Sequence, residues 1–215
     1  IDVSLVGSEM CIRDSHMLHH LGNLKPTDSV LIHGGGGGVG TAALQLCQWV
    51  GVTNVWSTAS AGKADIIRSY DAVAIDRHNE NFVEIVRSQT NGRGVDHILD
   101  PIGGAHLKRS LSVLAQGGKL YTYGMSSAAP SSKRSLWKAL KALRSRPRFD
   151  PMLMMSRNQG VFGVHMGTWN DEGVMQEQMQ NILKGIKEGA LTPIIDSIYD
   201  AKDVAKAHQH IHDGK

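Results

Sequence analysis

Short apolar runs alternate with longer amphipathic stretches along most of this chain. The apolar runs are strand candidates at residues 29–33, 54–58, 72–75, 95–100, 119–124 and 161–165. Stretches with helical spacing of apolar residues lie between them, near residues 38–50, 61–69, 80–90, 103–115, 134–145 and 170–188. Short apolar strands separated by helices are typical of a parallel sheet that is covered on both faces. Six such units predict a doubly wound α/β domain, the Rossmann architecture.

Five consecutive glycines follow the first predicted strand directly and lead into the first predicted helix. In a G-x-G-x-x-G motif, one glycine allows a tight turn, one allows a pyrophosphate to approach the backbone, and one allows the helix to pack closely. The helix N-terminus then offers N–H groups and a positive dipole end to the diphosphate. A flexible glycine linker would instead be flanked by polar, aperiodic sequence. We therefore predict a dinucleotide site that includes Gly35, Gly37, Gly38, Val39 and Gly40.

The end of the second strand indicates which dinucleotide binds. In an NAD site, an Asp or Glu about twenty residues after the glycines binds the ribose 2′-hydroxyl. Residues 41–64 contain neither acid, and Ser60 and Lys63 occupy this region, with Arg77 just after the third strand. A 2′-phosphate would be attracted to these cations and would accept a hydrogen bond from the serine. We therefore predict NADP(H). The alternative is that Lys63 is an ordinary solvated lysine on the surface of a helix.

Composition and charge exclude several classes of protein. The chain has 215 residues, is 41% hydrophobic and carries a net charge of +3, which is typical of a soluble globular protein. This charge is too small to indicate nucleic-acid binding, and no apolar stretch approaches the ~20 residues of a membrane span. Cys11 and Cys47 are the only cysteines. We therefore expect no disulfide framework and a reducing, cytoplasmic location.

The two ends of the chain differ from its middle. Residues 1–15 fit no element of the predicted fold and resemble a translated sequencing adaptor, so we interpret them as non-native. After Gly189 the pattern changes, and residues 193–199 predict an edge strand. Asp200 is then a candidate N-cap for a last helix, with Asp203 three residues on. We expect residues 16–190 to form the NADP(H)-binding domain and residues 191–215 to return toward a second, mostly missing domain.

Several stretches together resemble the medium-chain dehydrogenase/reductase superfamily, in its zinc-independent quinone oxidoreductase branch and in particular its vesicle amine transport protein group. They keep the family's order and spacing, and they are residues 21–24, 29–47, 57–63, 94–104, 117–125, 158–167 and 193–208. The resemblance implies that a GroES-like substrate domain precedes the cofactor domain and is completed by the C-terminal segment. It also implies that the ends of the fourth, fifth and sixth strands surround the nicotinamide half of the cofactor. The residues at those ends are Asp100, Ile102, Gly103, Gly124, Met125, Phe162, Gly163 and Val164.

Two positions depart from the pattern of this group. The group often has alanines where this chain has Gly35 and Gly36, and the extra glycines loosen the turn without abolishing binding. The group often has tyrosine at the position of Arg77. A stacking contact is thereby lost, while a positive charge near the expected 2′-phosphate is gained.

The sequence argues against a metal site. Zinc-dependent relatives take their catalytic ligands from the domain that precedes the cofactor domain, and a structural zinc site needs four clustered cysteines. This chain has two cysteines. We therefore predict that it binds no metal.

Residues 133–148 contain seven basic residues and no acidic residue. Leu136, Ala139, Leu140 and Leu143 form an apolar stripe at helical spacing. A basic amphipathic helix can lie on an anionic membrane surface. In the alternative that we favour, the stripe packs on the sheet, on a second copy of the chain or on the other domain, and the lysines are solvated. Peripheral contact with organelle or vesicle membranes and a homodimer both stay open as expectations.

We expect an enzyme that transfers hydride from NADPH to a quinone or an α,β-unsaturated carbonyl. The cofactor would carry the chemistry and the protein would supply orientation and electrostatics. Sequence names no general acid; His165, at the end of the sixth strand, is the best candidate, although a structural histidine is more common. The rival hypothesis is a membrane-associated regulatory protein that binds NADP(H) without significant turnover. A zinc alcohol dehydrogenase is a third hypothesis and would require bound zinc.

Overall fold

A computed structural model of the chain describes residues 12–126, 148–194 and 197–212. In these residues, six parallel strands form one sheet in the order β3-β2-β1-β4-β5-β6. The strands are β1 (Ser29–His33), β2 (Asn54–Ala59), β3 (Val73–Asp76), β4 (Val95–Asp100), β5 (Leu114–Thr122) and β6 (Gly160–Gly163). This order is that of the doubly wound dinucleotide-binding fold, so the predicted fold class is confirmed.

Helices connect the strands and cover both faces of the sheet. They are α1 (Gly38–Val50), α2 (Ala64–Arg68), α3 (Phe82–Gln89), α4 (His106–Ser112), α5 (Pro151–Arg157), α6 (Glu172–Lys187) and α7 (Val204–His212). A π-helical segment, His16–Leu21, precedes β1. The predicted helix at residues 134–145 lies outside the described residues. The same holds for residues 133–147 of the basic segment.

The core is divided by the sheet into two apolar clusters. All five residues of β1 are buried, and they alternate between the clusters, with Val30 and Ile32 in one and Leu31 in the other. The first cluster also receives Leu44 of α1 and Ile182 of α6, whereas α3 and α4 contribute to the second. Burial on both faces explains why the strands are continuous apolar runs rather than alternating ones.

The boundary between α4 and β5 differs from the prediction. Sequence placed a helix at residues 103–115 and a strand at residues 119–124, but α4 ends at Ser112 and β5 begins at Leu114. Leu114 pairs with Val95, and the register then shifts so that Lys119 pairs with His97. Gly117, with φ +78°, lies in the irregular part of the strand. The apolar residues at 113–115 therefore serve strand pairing, although their spacing also suits a helix.

The predicted edge strand at residues 193–199 is wrong for the described part of that segment, since residues 193–194 and 197–199 form no strand. The side chain of Gln45 on α1 holds the backbone just before it. Its Oε1 accepts from the Thr192 N–H at 2.6 Å, and its Nε2 donates to the Thr192 carbonyl at 3.0 Å. Asp200 occupies the N-cap position of a 3-10 turn, Ala201–Asp203, but its side chain makes no capping bond.

Residues 12–15 pack against the domain, although we interpret residues 1–15 as non-native. Asp14 is completely buried, and neither carboxylate oxygen has a hydrogen-bond partner among the described residues. Burial raises the pKa of Asp14 well above its usual value. An unpaired buried carboxylate is a costly arrangement. The interpretation of residues 1–15 stays a prediction.

Candidate cofactor-binding site

The sequence-predicted site residues gather at one edge of the sheet. Because all six strands are parallel, their carboxyl ends meet at the same edge. β1 and β4 are neighbours at the centre of the sheet, where the winding of the chain reverses. Ligands of open α/β sheets bind in the crevice at such a switch point.

The glycine turn lies at this crevice, between β1 and α1. Gly34 has φ +82°, and its N–H donates to the Thr58 carbonyl at 2.8 Å, which fastens the turn to β2. Gly37 is the N-cap of α1, and no side chain caps this helix. The first N–H groups of a helix have no intrahelical acceptor. The backbone N–H groups of Gly38, Val39 and Gly40, together with the positive end of the dipole, are therefore available to an anion such as a diphosphate.

The three motif glycines have three different environments. A Cβ added at Gly35 would collide with the Ser57 side chain on β2, and one added at Gly40 would collide with the backbone of Gly34 and Gly35. A Cβ added at Gly37 would meet only the Gly34 carbonyl oxygen, at 3.4 Å. Gly35 and Gly40 are thus required for close packing. Gly37 has room for a side chain, so packing does not require a glycine there. Its lack of a side chain instead leaves free the open side of the turn, where a diphosphate would approach.

The residues predicted for the 2′-phosphate lie at the ends of β2 and β3. A Cβ added at Gly36 would lie 2.6 Å from the Lys63 Cβ, so the lysine stem runs beside the glycine turn. The Arg77 N–H donates to the Ala59 carbonyl at 2.9 Å, which holds Arg77 next to the end of β2. Ser60 lines a cavity of about 260 Å³ at this place. The structure thus brings Ser60, Lys63 and Arg77 to the same corner.

Acidic residues that sequence reasoning missed also line this cavity, namely Asp65, Asp76 and Glu80. Each has a partner nearby. Asp65 pairs with Arg68 at 2.9 Å, Asp76 accepts from the His78 N–H, and Glu80 accepts from the Asp76 N–H. The hydrogen bond from the His78 backbone is the main cause that lowers the pKa of Asp76. Asp76 ends β3 rather than β2, so no signal at the usual spacing could have revealed it.

The loop after β4 is held by Asp100, whose side chain is fully buried. Its Oδ1 accepts from the N–H groups of Ile102 at 2.8 Å and Gly103 at 3.0 Å. Its Oδ2 accepts from the Ser110 hydroxyl at 2.8 Å and lies 2.9 Å from His106 Nδ1. Burial by itself would raise the pKa of Asp100, but these hydrogen bonds and the nearby histidines hold it well below its usual value. Asp100 is therefore an ionised anchor of its own loop.

The loops after β4 and β5 touch each other through glycines. Gly103 has φ +73°, and a Cβ added there would lie 3.1 Å from the Gly124 carbonyl oxygen. A Cβ added at Gly124 would lie 2.6 Å from the Pro101 carbonyl oxygen. The Ser126 N–H also donates to the Pro101 carbonyl at 3.1 Å. Both predicted site glycines thus have a packing role that sequence reasoning did not foresee.

The remaining predicted residues differ in how far they are accessible. Met125 and Gly163 are exposed at the sheet edge, whereas Val164 is buried in the core. Phe162 stacks on the buried Tyr121, with ring centroids 5.7 Å apart. His165 is exposed and its Nδ1 lies 3.3 Å from the Thr168 hydroxyl. Met125 and Gly163 are therefore the better placed to meet a ligand.

A hydrogen-bonded chain runs behind the crevice from β2 to α4. The Ser110 hydroxyl donates its one hydrogen to Asp100, so its oxygen accepts from His33 Nε2 at 3.2 Å. His33 Nδ1 then accepts from the Thr58 hydroxyl at 3.0 Å. Burial, with repulsion from His106 next, lowers the pKa of His33 to about 3. His33 is therefore neutral, with its hydrogen on Nε2.

His33, Asp100 and His106 also form a cluster that could in principle hold a metal, since their ligand atoms lie within 4.8 Å of one another. A metal requires a deprotonated nitrogen that faces it. Because Ser110 donates its hydrogen to Asp100 and the Asp100 carboxylate only accepts, we infer that both histidine nitrogens that face the cluster donate, to Ser110 and to Asp100. The donor set therefore fits a polar network better than a metal centre.

Cys47 is buried, and burial raises the pKa of its thiol to about 12, so it is chemically inert packing. Cys11 lies outside the described residues. Among the residues that the structure describes, no helix combines the length and apolar composition that a membrane crossing requires.

Comparison with known proteins identifies the family. The model of the zinc-binding dehydrogenase family matches residues 70–215. Synaptic vesicle membrane protein VAT-1 from Tetronarce californica is 33% identical over 196 residues, which cover 91% of this chain and 51% of that protein. Quinone oxidoreductase from Pongo abelii is 26% identical and is covered to 54% of its length. The chain thus spans about half the length of these curated relatives.

A solved structure supports the fold. The crystal structure of 2-haloacrylate reductase matches with a TM-score of 0.79 at 24% identity, over 99% of this chain and 62% of the other. The predicted resemblance is confirmed: the chain belongs to the zinc-binding dehydrogenase family, within the medium-chain dehydrogenase/reductase superfamily.

Proposed function

We propose that this chain binds NADP(H) and forms the cofactor half of an oxidoreductase that transfers hydride to a quinone or an α,β-unsaturated carbonyl. The observation that carries the proposal is the glycine turn. Gly35 and Gly40 are closed off by neighbouring atoms, while Gly37 is open at an uncapped helix N-terminus. Packing accounts for the glycines at positions 35 and 40 but not for Gly37, whose open position fits the approach of a diphosphate.

The chain's own residues divide the work of binding. The backbone donors of Gly38, Val39 and Gly40 would hold the diphosphate, and Ser60, Lys63 and Arg77 would hold the 2′-phosphate. When bound, the reduced nicotinamide supplies the hydride. The loops at the ends of β4, β5 and β6 would orient that ring and exclude water from one side of it.

The substrate class rests on the relatives. Quinone oxidoreductase and 2-haloacrylate reductase are named for acceptors in which a conjugated system takes up reducing equivalents. The network around His33 and Asp100 has its hydrogens committed within the chain, so we propose a reaction without metal. A cytoplasmic location and a homodimer belong to the same proposal.

Calorimetric titration of NADPH into Gly37→Val tests the site. A branched side chain at Gly37 would occupy the open side of the turn, so we expect binding to fall below detection while the variant stays folded. Gly173→Val on the exposed start of α6 is the matched control and should bind like the parent chain. Unchanged NADPH affinity in a folded Gly37→Val chain would refute the assignment.

A second candidate is a membrane-associated protein that binds NADP(H) without significant turnover. Two observations favour it: the relatives named as synaptic vesicle membrane proteins and the seven basic residues between positions 133 and 148. Electrostatic attraction to anionic lipid would draw such a segment to the surface.

Sedimentation with vesicles separates the candidates. If the second is right, the chain should pellet with vesicles that contain anionic lipid and stay in solution with neutral ones. A Lys138→Glu, Lys141→Glu double variant should lose this binding, whereas Lys184→Glu, Lys187→Glu on α6 should keep it. Equal recovery in solution with both kinds of vesicle would eliminate the membrane role.

A further inference from the structure

Asp100 has no acceptor capacity left for a ligand. A carboxylate has about four lone-pair sites, and the Asp100 carboxylate has four neighbours: two backbone N–H groups, the Ser110 hydroxyl and His106 Nδ1. Its side chain is fully buried. Asp100 therefore acts through the residues that it holds, rather than by contact with the cofactor.

The segment that Asp100 holds lies between the two halves of the crevice. Pro101 is near the glycine turn, because a Cβ added at Gly34 would lie 3.9 Å from the proline Cγ. On its other side, the Pro101 carbonyl accepts from Ser126 and is in close contact with Gly124. The position of this one loop therefore determines the gap between the glycine turn and the loop after β5.

Asp100 also connects this loop to the rest of the domain. Through Ser110 it reaches His33 at the end of β1, and through His33 it reaches Thr58 on β2. His106 is fixed on its other side by the ring of His33, with centroids 4.4 Å apart. These contacts thus hold the loop after β4 in a fixed position relative to β1 and β2, the strands that carry the glycine turn and the 2′-phosphate corner.

We propose that Asp100 is a positioning residue for the nicotinamide half of the cofactor, and that it acts by fixing residues 101–103 relative to the glycine turn. The inference rests on the proposed NADP(H) function. In this fold the first three strands serve one mononucleotide and the last three serve the other. Loss of the anchor should therefore weaken contacts to the nicotinamide half and spare those to the adenosine half.

The test compares two ligands on the same variants. NADPH contains both halves, whereas 2′,5′-ADP contains only the adenosine half with its 2′-phosphate. Asp100→Asn places an amide where the carboxylate accepted from Ser110 and His106, so donors would face donors. We expect NADPH affinity to fall about ten-fold or more, with 2′,5′-ADP affinity unchanged within about two-fold.

Three further variants separate positioning from stability. Asp96→Asn changes an aspartate at the opposite end of the same strand, where it is bonded to Arg93 and Ser29, and should leave the ratio of the two affinities unchanged. His106→Ala should repeat the selective loss of NADPH affinity, whereas His106→Asn keeps a donor near Asp100 and should restore much of it. These two variants also carry the test if Asp100→Asn does not fold.

The outcomes discriminate between the inference and the function on which it rests. Equal losses for both ligands, or no loss for either, would overturn the positioning role. Equal affinity of the parent chain for NADPH and 2′,5′-ADP would also overturn it, because no nicotinamide contact would exist to be positioned. A parent chain that binds neither ligand would refute the proposed function itself.

Discussion

At the residue scale, single side chains carry the proposed cofactor preference and the expected response of the domain to pH. Lys63 is the clearest case. Its stem runs beside Gly36, and it comes shortly after β2, where an NAD site would have an Asp or Glu and this chain has neither. The acids Asp76 and Glu80 line the same corner but are bonded to the backbone of their own turn. The preference for a 2′-phosphate is therefore predicted to depend on Lys63 more than on the overall charge.

Lys63→Ala should weaken NADPH binding and leave NADH binding unchanged. A hydrogen bond to a charged group contributes about 1.5–3 kcal/mol, which corresponds to roughly a ten- to hundred-fold loss of affinity. Isothermal titration with both cofactors measures the two effects. Lys187→Ala, an exposed lysine near the end of α6, is the control, and an equal loss for NADPH and NADH would show that Lys63 does not read the phosphate.

His33 should make the domain sensitive to acid. Its pKa is about 3 in the folded chain against a usual 6.5, so below 6.5 the unfolded chain binds a proton that the folded chain does not. The contribution of His33 to the free energy of unfolding is then fully present above pH 6.5. It is lost as the pH falls, by up to about 1.4 kcal/mol per pH unit for one such histidine. The titratable groups that face His33 and influence its pKa are His106, Asp100 and Arg109.

Urea unfolding at a series of pH values measures this slope. His33→Gln keeps a donor toward Ser110 and cannot take up the proton, so its stability should fall less steeply with acid. His208→Gln on α7, where the side chain is exposed, should leave the slope as in the parent chain. Identical slopes for all three chains would contradict the role of His33.

At the scale of elements, the start of α1 and the end of β2 form one unit. Gly34 and Gly35 both donate to the Thr58 carbonyl, and Gly35 leaves no space for a side chain beside Ser57. The Ser57 hydroxyl in turn donates to the Ile32 carbonyl at 2.9 Å inside the sheet. This contact explains the glycine at position 35 of this chain, because the Ser57 side chain fills the space that a Cβ would need.

Gly35→Ala should therefore destabilise the domain, by about 1–3 kcal/mol as for other overpacked sites. Gly37→Ala is the matched variant in the same turn, and its Cβ meets only the Gly34 carbonyl at 3.4 Å, so its cost should be small. Chemical unfolding of both chains gives the comparison. If the two variants unfold at the same denaturant concentration, the packing argument for Gly35 fails.

At the scale of the whole molecule, the described residues hold the proposed cofactor half of the site and several exposed apolar side chains. Met152 is 71% exposed, Met155 68% and Ile198 81%. Where such side chains gather into one patch, they mark a surface that contacts another protein or domain. We propose that a GroES-like substrate domain, as the family resemblance implies, would cover some of these side chains.

This chain alone should bind NADPH measurably but should reduce quinones poorly. Hydride transfer needs the acceptor held against the nicotinamide, and such positioning contributes a large part of enzymatic acceleration. Steady-state oxidation of NADPH with a simple quinone, compared between this chain and the same chain joined to the proposed GroES-like domain, measures the difference. Comparable turnover of the two chains would show that the expected substrate domain is dispensable.

Local patterns determined much of this protein. The positions of β1 and β4, the glycine turn and α1 follow from short runs of sequence, because backbone conformation and amphipathic spacing are local properties. Their combination also predicted the doubly wound order of the sheet. The NADP(H) preference and the roles of the individual site residues stay predictions.

Tertiary structure alone decided the rest, because those features join residues far apart in the chain. Ser110 meets His33 across 77 positions, and Gln45 meets Thr192 across 147. The first contact makes Asp100 an internal anchor. The second holds the backbone at Thr192, just before the segment in which the sequence predicted an edge strand. The early start of β5 has the same cause, since pairing with β4 outweighs the helical spacing of residues 113–115. No local pattern encodes which partner a buried polar group will find.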